Sequence, residues 1–184
     1  MFKKFDNTQI STYNILKSSH ARAIRSSICE QYPAVEPHID LVWPKKAEVT
    51  VAKCRNAERS NIIFVDGFPS FFNTRDPKDT PHFPTLRLLH RFPIMLPRMQ
   101  VDEGAIKFAL KGADMMAPGL TSPGGAMDEV QSNQVVAVTA EGKQHALIVG
   151  LTKQSTQEIR SNNSGIAVQT VHFVADGLWQ IEGL

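Results

Sequence analysis

The chain has 184 residues, 42% hydrophobic and 21% charged, enough for one domain or two small ones with a buried core and unlike a disordered chain. No apolar run approaches the ~20 residues that span a bilayer, and the opening MFKKFDNTQIST lacks the apolar stretch of a signal peptide. Cys29 and Cys54 are too few for a disulfide scaffold or a four-cysteine zinc site, so a soluble cytoplasmic protein is expected.

The net charge of +2 hides an asymmetry. Residues 1–92 carry 14 Lys/Arg against 9 Asp/Glu, and residues 93–184 carry 6 against 9. The first half is therefore basic enough to favour an acidic or nucleic-acid surface, unless it is simply a solvated face. Any RNA site in the second half must work by shape rather than bulk charge.

In chain order, SSHARAIRSSICEQY places Ala21, Ile24, Ile28 and Tyr32 at helical spacing, with Ser18 or Ser19 as the cap. Glu36 to Trp43 reads as a short helix stopped by Pro44. EVTVAKC and NIIFVDGFPSFF read as strands, the second folded on itself at Asp66-Gly67. NTRDPKDTPHFP is a polar loop and TLRLLHRF a short helix. Pro93 and Pro97 mark a domain boundary.

The second half opens with VDEGAIKFALKG, read as a helix over 102–111 ended by Gly112. Ile106, Ala109, Leu110 and Ala113 share one face, with Phe108 off it and Lys107 and Lys111 flanking. QVVAVTA, Glu141-Gly142 and KQHALIVGLT form a hairpin, and STQEIRSN carries a capping box of Ser155 with Glu158. GIAVQTVHFV, Asp176-Gly177 and LWQI are read as two final strands. This half is β-rich and short enough to close as a small barrel.

No catalytic set emerges. The six histidines are not spaced as metal ligands, and neither G-x-S-x-G, G-x-G-x-x-G nor a Walker sequence occurs. Asp102-Glu103 opens a helix, where acids suit the macrodipole. The loop KGADMMAPGLTSPGG is more informative. Gly112, Gly119, Gly124 and Gly125 let backbone approach another surface, Pro118 and Pro123 stiffen it, and Met115 and Met116 give adaptable apolar contact. With Lys107, Phe108 and Lys111 beside it, the segment reads either as a base- and ribose-reading surface or as packing under a neighbouring domain.

VDEGAIKFALKGADMMAPGL followed by VVAVTAEGKQHALIVG resembles a PUA domain, an RNA-binding pseudo-barrel. Together with MFKKFD, PTLRLLHRFP, LTSPGG, AEGKQHAL and DGLW, it resembles the malignant T-cell-amplified sequence family from Met1 to Trp179. The resemblance implies an α+β fold, with an N-terminal α+β (pre-PUA) domain at 1–94 and a PUA domain at 95–184. It implies a non-catalytic, cofactor-free translation factor acting on the small ribosomal subunit in reinitiation and in recycling of subunits and deacylated tRNA. The implied partners are a density-regulated protein homologue as heterodimer mate, 40S RNA and the tRNA acceptor end. The implied RNA-binding set is Lys107, Phe108, Lys111, Gly112, Ala113, Met115, Pro118, Gly119 and Leu120. The longer loop Asn73–Pro84 and the acidic GGAMDEVQSNQ depart from the family pattern. A PUA-containing adaptor, or an accessory of an RNA-modifying enzyme, is the alternative.

Overall fold

A computed structural model describes residues 2–55, 59–74 and 81–184. The chain divides into two compact units, one of Met1–Met95 with Gly177–Leu184, the other of Leu96–Asp176.

The first unit is built on an antiparallel meander. Strand β1 (Ile10–Ile15) leads to helix α1 (Ser18–Gln31), a 3-10 turn over Pro33–His38 and the one-turn helix α2 (Ile39–Val42). Strands β2 (Val49–Cys54), β3 (Ser60–Val65), β4 (Phe68–Thr74) and the short β5 (Phe83–Pro84) follow, then helix α3 (Leu86–Arg91). The strands pair in sequence order. The β3–β4 turn takes positive φ at both Asp66 (49°) and Gly67 (75°), the geometry that matches the twist of a two-residue hairpin. The Asp66 carboxylate also accepts from the Glu48 amide at 2.8 Å, tying the turn to the start of β2. Part of the loop Asn73–Pro84, residues 75–80, lies outside the described residues.

The cap of α1 falls one residue earlier than expected. Lys17 is the extended N-cap and Ser18 the first helical residue, with no side chain capping the first turn. The segment from Glu36 to Trp43 starts in the 3-10 turn because Pro37 cannot donate a helical amide bond. At the other end of α1, the Tyr32 hydroxyl donates to the His82 carbonyl at 2.6 Å and Gln31 accepts from the His82 amide at 2.9 Å. Phe2, Phe5, Phe72 and Phe83 form a contiguous buried aromatic cluster, with Trp43 against Phe71 nearby.

The C-terminal segment closes this unit, and LWQI is a turn rather than a strand. Asp176 does not open a hairpin. Its carboxylate accepts from the Phe173 amide at 3.1 Å and meets His172 Nδ1 at 2.8 Å. Gly177 then donates to the Phe2 carbonyl at 3.0 Å, and Leu178 and Ile181 are buried. Arg87 donates to the Trp179 carbonyl at 2.9 Å with its guanidinium over the indole, and the Leu184 amide reaches the Gly67 carbonyl.

The second unit is a six-stranded mixed sheet with short helices. Its elements are β6 (Arg98–Val101), a 3-10 turn at Glu103–Ala105, α4 (Ile106–Ala109), β7 (Met115–Met116) and α5 (Ala117–Thr121). They continue as β8 (Ala126–Met127), β9 (Val135–Ala140), β10 (Ile148–Thr152), α6 (Thr156–Asn162) and β11 (Ile166–Phe173). The strand order is β7-β11-β10-β9-β6-β8, with β6 and β9 parallel. Met99, Val101, Val136, Val138, Ile148, Ile159 and Val168 fill the core. The helix read over 102–111 is shorter than its apolar spacing implied, a 3-10 turn and one α turn, so its stripe is incomplete. Ala109 is fully buried but Leu110 is 44% exposed.

The capping box on α6 is complete: Ser155 Oγ accepts from the Glu158 amide and the Glu158 carboxylate accepts from the Ser155 amide at 2.7 Å. The Ser155 amide, and after it the Ser155 hydroxyl, donate to the Glu158 carboxylate and hold the carboxyl below its ordinary range. A depressed carboxylate gives stability that is present above its unfolded value and is lost as pH falls through the folded one. Glu158→Gln should therefore lose less stability than the parent protein on acidification, the parent's advantage at neutral pH shrinking and the two stability curves converging once pH drops below the ordinary glutamate range. Parallel curves from pH 7 to 3 would refute this.

Candidate nucleic-acid interface

Between β6 and α5, the second unit holds a groove of about 380 Å³. Its two walls are set by one side chain. Asp102 caps the 3-10 turn, with Oδ1 accepting from the Ala105 amide at 3.0 Å. Oδ2 accepts from the Ser122 hydroxyl at 2.7 Å, just past α5, while the Asp102 amide donates to the Gly119 carbonyl at 3.1 Å. Gly104, Ala105 and Phe108 line one side, and Met115, Met116 and Gly119 the other.

The segment from Lys111 to Met116 is fastened to β11. The Thr170 hydroxyl donates to the Ala113 carbonyl at 2.7 Å, and the Thr170 amide donates to Asp114 at 2.8 Å. Both acids at the groove, Asp102 and Asp114, therefore carry hydrogen-bond donors, which offsets their charge toward an anionic ligand. Phe108 is 52% exposed and Met116 49% exposed, a displayed aromatic face and a flexible thioether at one opening. Lys107 Nζ lies 5.1 Å from the Phe108 ring centroid. Such a site can take a planar ring against Phe108 while a cation at its edge meets a phosphate.

The structure separates the residues singled out from the sequence. Phe108, Ala113, Met115 and Gly119 line the groove, with Lys107 at its edge. Lys111 is exposed but outside the lining, and Pro118 is exposed in the first turn of α5. Leu120 is a core residue at 1% exposure. Gly112 serves the backbone: φ is +68°, and a Cβ there would run into the Phe173 ring. Asp102, Gly104, Ala105, Asp114 and Met116 complete the lining. For Asp102 the sequence showed only an acid opening a helix, where it suits the macrodipole; its second bond, to Ser122, crosses 20 residues. Among the described residues no three His, Cys, Asp or Glu side chains converge as metal ligands. No helix of the described residues is long and apolar enough to cross a membrane.

Two family models match, a Pre-PUA-like domain over residues 4–93 and "elF2D, PUA domain" over residues 96–177. The chain is 46% identical to human malignant T-cell-amplified sequence 2 over 183 residues, covering 99% of this chain and 98% of the relative. It is 49% identical to the malignant T-cell-amplified sequence 1 homolog of Drosophila melanogaster, covering 98% and 97%. Among solved structures it is similar to a hypothetical protein of Pyrococcus horikoshii, with TM-score 0.74 and 27% identity over 92% of this chain and 98% of that one. A PUA domain protein of Aeropyrum pernix, solved with tartrate, gives TM-score 0.71 at 26% identity, covering 92% and 89%. The architecture is accordingly α+β, a pre-PUA region followed by a PUA domain.

Gly112, which serves the backbone, and Gly119, which lines the groove, should respond differently to one methyl group. Gly112→Ala should cost about 2 kcal/mol, from a left-handed backbone and a collision with Phe173. Gly119→Ala should leave the melting temperature nearly unchanged, because its Cβ would stand 3.9 Å from the Ala105 methyl, an ordinary contact. Equal melting temperatures for the two variants would contradict this division.

Proposed function

The chain belongs to the malignant T-cell-amplified sequence family, and from that membership we propose that it is a non-catalytic, cytoplasmic RNA-binding translation factor of the small ribosomal subunit. It acts in reinitiation and in recycling of subunits and deacylated tRNA, as a heterodimer with a density-regulated protein homologue. The observation that carries the RNA part is the groove with Phe108 and Met116 displayed at its mouth and Lys107 at its edge. A base or the terminal adenosine of an acceptor end has the flat shape to lie against the exposed Phe108 ring and Met116 thioether.

The test is co-sedimentation with 40S subunits and binding of an acceptor-stem RNA across a salt series. Phe108→Ala should weaken binding about tenfold or more, since one base stack is worth ~1–3 kcal/mol. Its salt slope should stay that of the parent protein. Lys107→Ala should lower the slope by about 1 instead. Gly119→Val should harm binding more than Lys111→Ala, because it fills the groove whereas Lys111 stands outside it. Parent-like binding by Phe108→Ala at every salt concentration would defeat the groove as the RNA site.

The partner is proposed to bind chiefly through the first half of the chain. The apolar residues of the first unit split sharply: Trp43 and Met95 are buried, whereas Leu41 is 70% and Ile94 57% exposed. Leu41→Asp and Ile94→Asp should therefore reduce co-elution of a co-expressed density-regulated protein homologue while leaving the fold intact. Unchanged co-elution of both variants would place the interface elsewhere.

A further inference from the structure

The first unit contains a second groove, of about 300 Å³, between the first turns of α1 and the segment running from α2 into β2. Arg22, Arg25, Lys45 and Lys46 all line it, and Glu48 is the one acid in the lining among the described residues. The Asp40 carboxylate pairs with Arg25, and its other oxygen lies 3.7 Å from Lys45 Nζ, so one acid serves two cations. Arg25 is further held by donating from Nε to the Trp43 carbonyl at 3.0 Å. Arg22 donates from Nε to the Ser18 carbonyl at 3.2 Å. Among the described residues, neither Arg22 nor Lys46 has an acid within salt-bridge distance.

Gathering four cations around one concave surface with so little compensation is unfavourable in the isolated protein and favours a polyanion. Trp43 forms part of the lining but is 2% exposed, so it offers neither a stacking face nor an anchor pocket. Ile15, 69% exposed, is the one large apolar side chain displayed there. A protein interface of useful affinity needs a buried apolar or aromatic centre, which this groove lacks. Contacts to a nucleic-acid backbone need only charge and hydrogen-bond donors. We propose that this groove binds the phosphate backbone of RNA, through Arg22 and Lys46 with Arg25 and Lys45 in support, as a contact separate from the Phe108 groove. The choice of RNA among polyanions rests on the proposed function; the groove's preference for anions does not.

The test uses the full chain and fluorescein-labelled 15-nucleotide poly(U), read by anisotropy from 50 to 300 mM KCl. The variants are Arg22→Gln/Lys46→Gln and a charge-matched control pair, Lys143→Gln/Lys153→Gln, exposed in the second unit. The groove pair should lower the slope of log K against log salt by about 1.4, two phosphates at ~0.7 each for a single strand. It should also weaken binding at least fivefold at 50 mM KCl, while the control pair shifts it less than twofold and Arg22→Lys with Lys46 intact binds much as the parent does. All variants should melt as the parent does, since the replaced side chains are exposed. Indistinguishable groove and control pairs would overturn the proposal. If Phe108→Ala alone loses poly(U), the proposed function stands and only this groove fails. If poly-glutamate binds as tightly as poly(U) and is lost in the groove pair, the site is one for acidic protein and the RNA assignment falls.

Discussion

The carboxylate of Asp102 is the point on which the second unit's groove depends. One oxygen ends the strand β6 by capping the turn that leads into α4, which carries Phe108, the other holds Ser122 beyond α5, and the backbone amide of the same residue reaches Gly119. Both walls are thus fixed to one residue at the end of a core strand whose neighbour, Val101, is fully buried. An acid in this place looks misplaced for a site that receives anions. Its oxygens are occupied by donors, so it acts as a brace, and the attraction for a ligand is left to shape, to Phe108 and to Lys107. This agrees with the acidic balance of the second half of the sequence, which gives no general attraction for RNA.

What could be read from the sequence was local. Asp66-Gly67 defines its hairpin within four residues, and Ser155 with Glu158 defines the start of α6 within one turn. Both depend on bonds between close neighbours in the chain. Asp176-Gly177 has the same appearance and forms no hairpin, because Asp176 is taken by His172 and Phe173, and Gly177 by the Phe2 carbonyl. The first of those competitors is near in sequence, the last is not. The candidate site divides in the same way. Phe108 and Lys107 stood out as an aromatic and a cation off an apolar stripe, yet the stripe itself overstated the helix. Met116 and Asp114 enter the groove only because a two-residue strand pairs with β11, a contact across about 50 residues that no local pattern announces.

The two grooves rely on different physics. The one in the second unit is poor in charge and displays ring and thioether surface, so its discrimination would come from fit and stacking. The one in the first unit is rich in charge and keeps its only aromatic buried, so its attraction would be general and sensitive to salt. A chain that carries both can separate how strongly it associates with a large polyanion from which feature of that polyanion it recognises.

The return of Gly177–Leu184 to the first unit has a consequence for biosynthesis. The amide of Gly177 bonds to Phe2, Arg87 clasps Trp179, and Leu178 and Ile181 fill the unit's interior. Those residues leave the ribosome after every residue of the second unit. The part of the protein that is translated first is thus completed last, and while the second half is being made the Phe2 carbonyl lacks its partner at Gly177. The order of emergence and the order of completion are reversed for this unit.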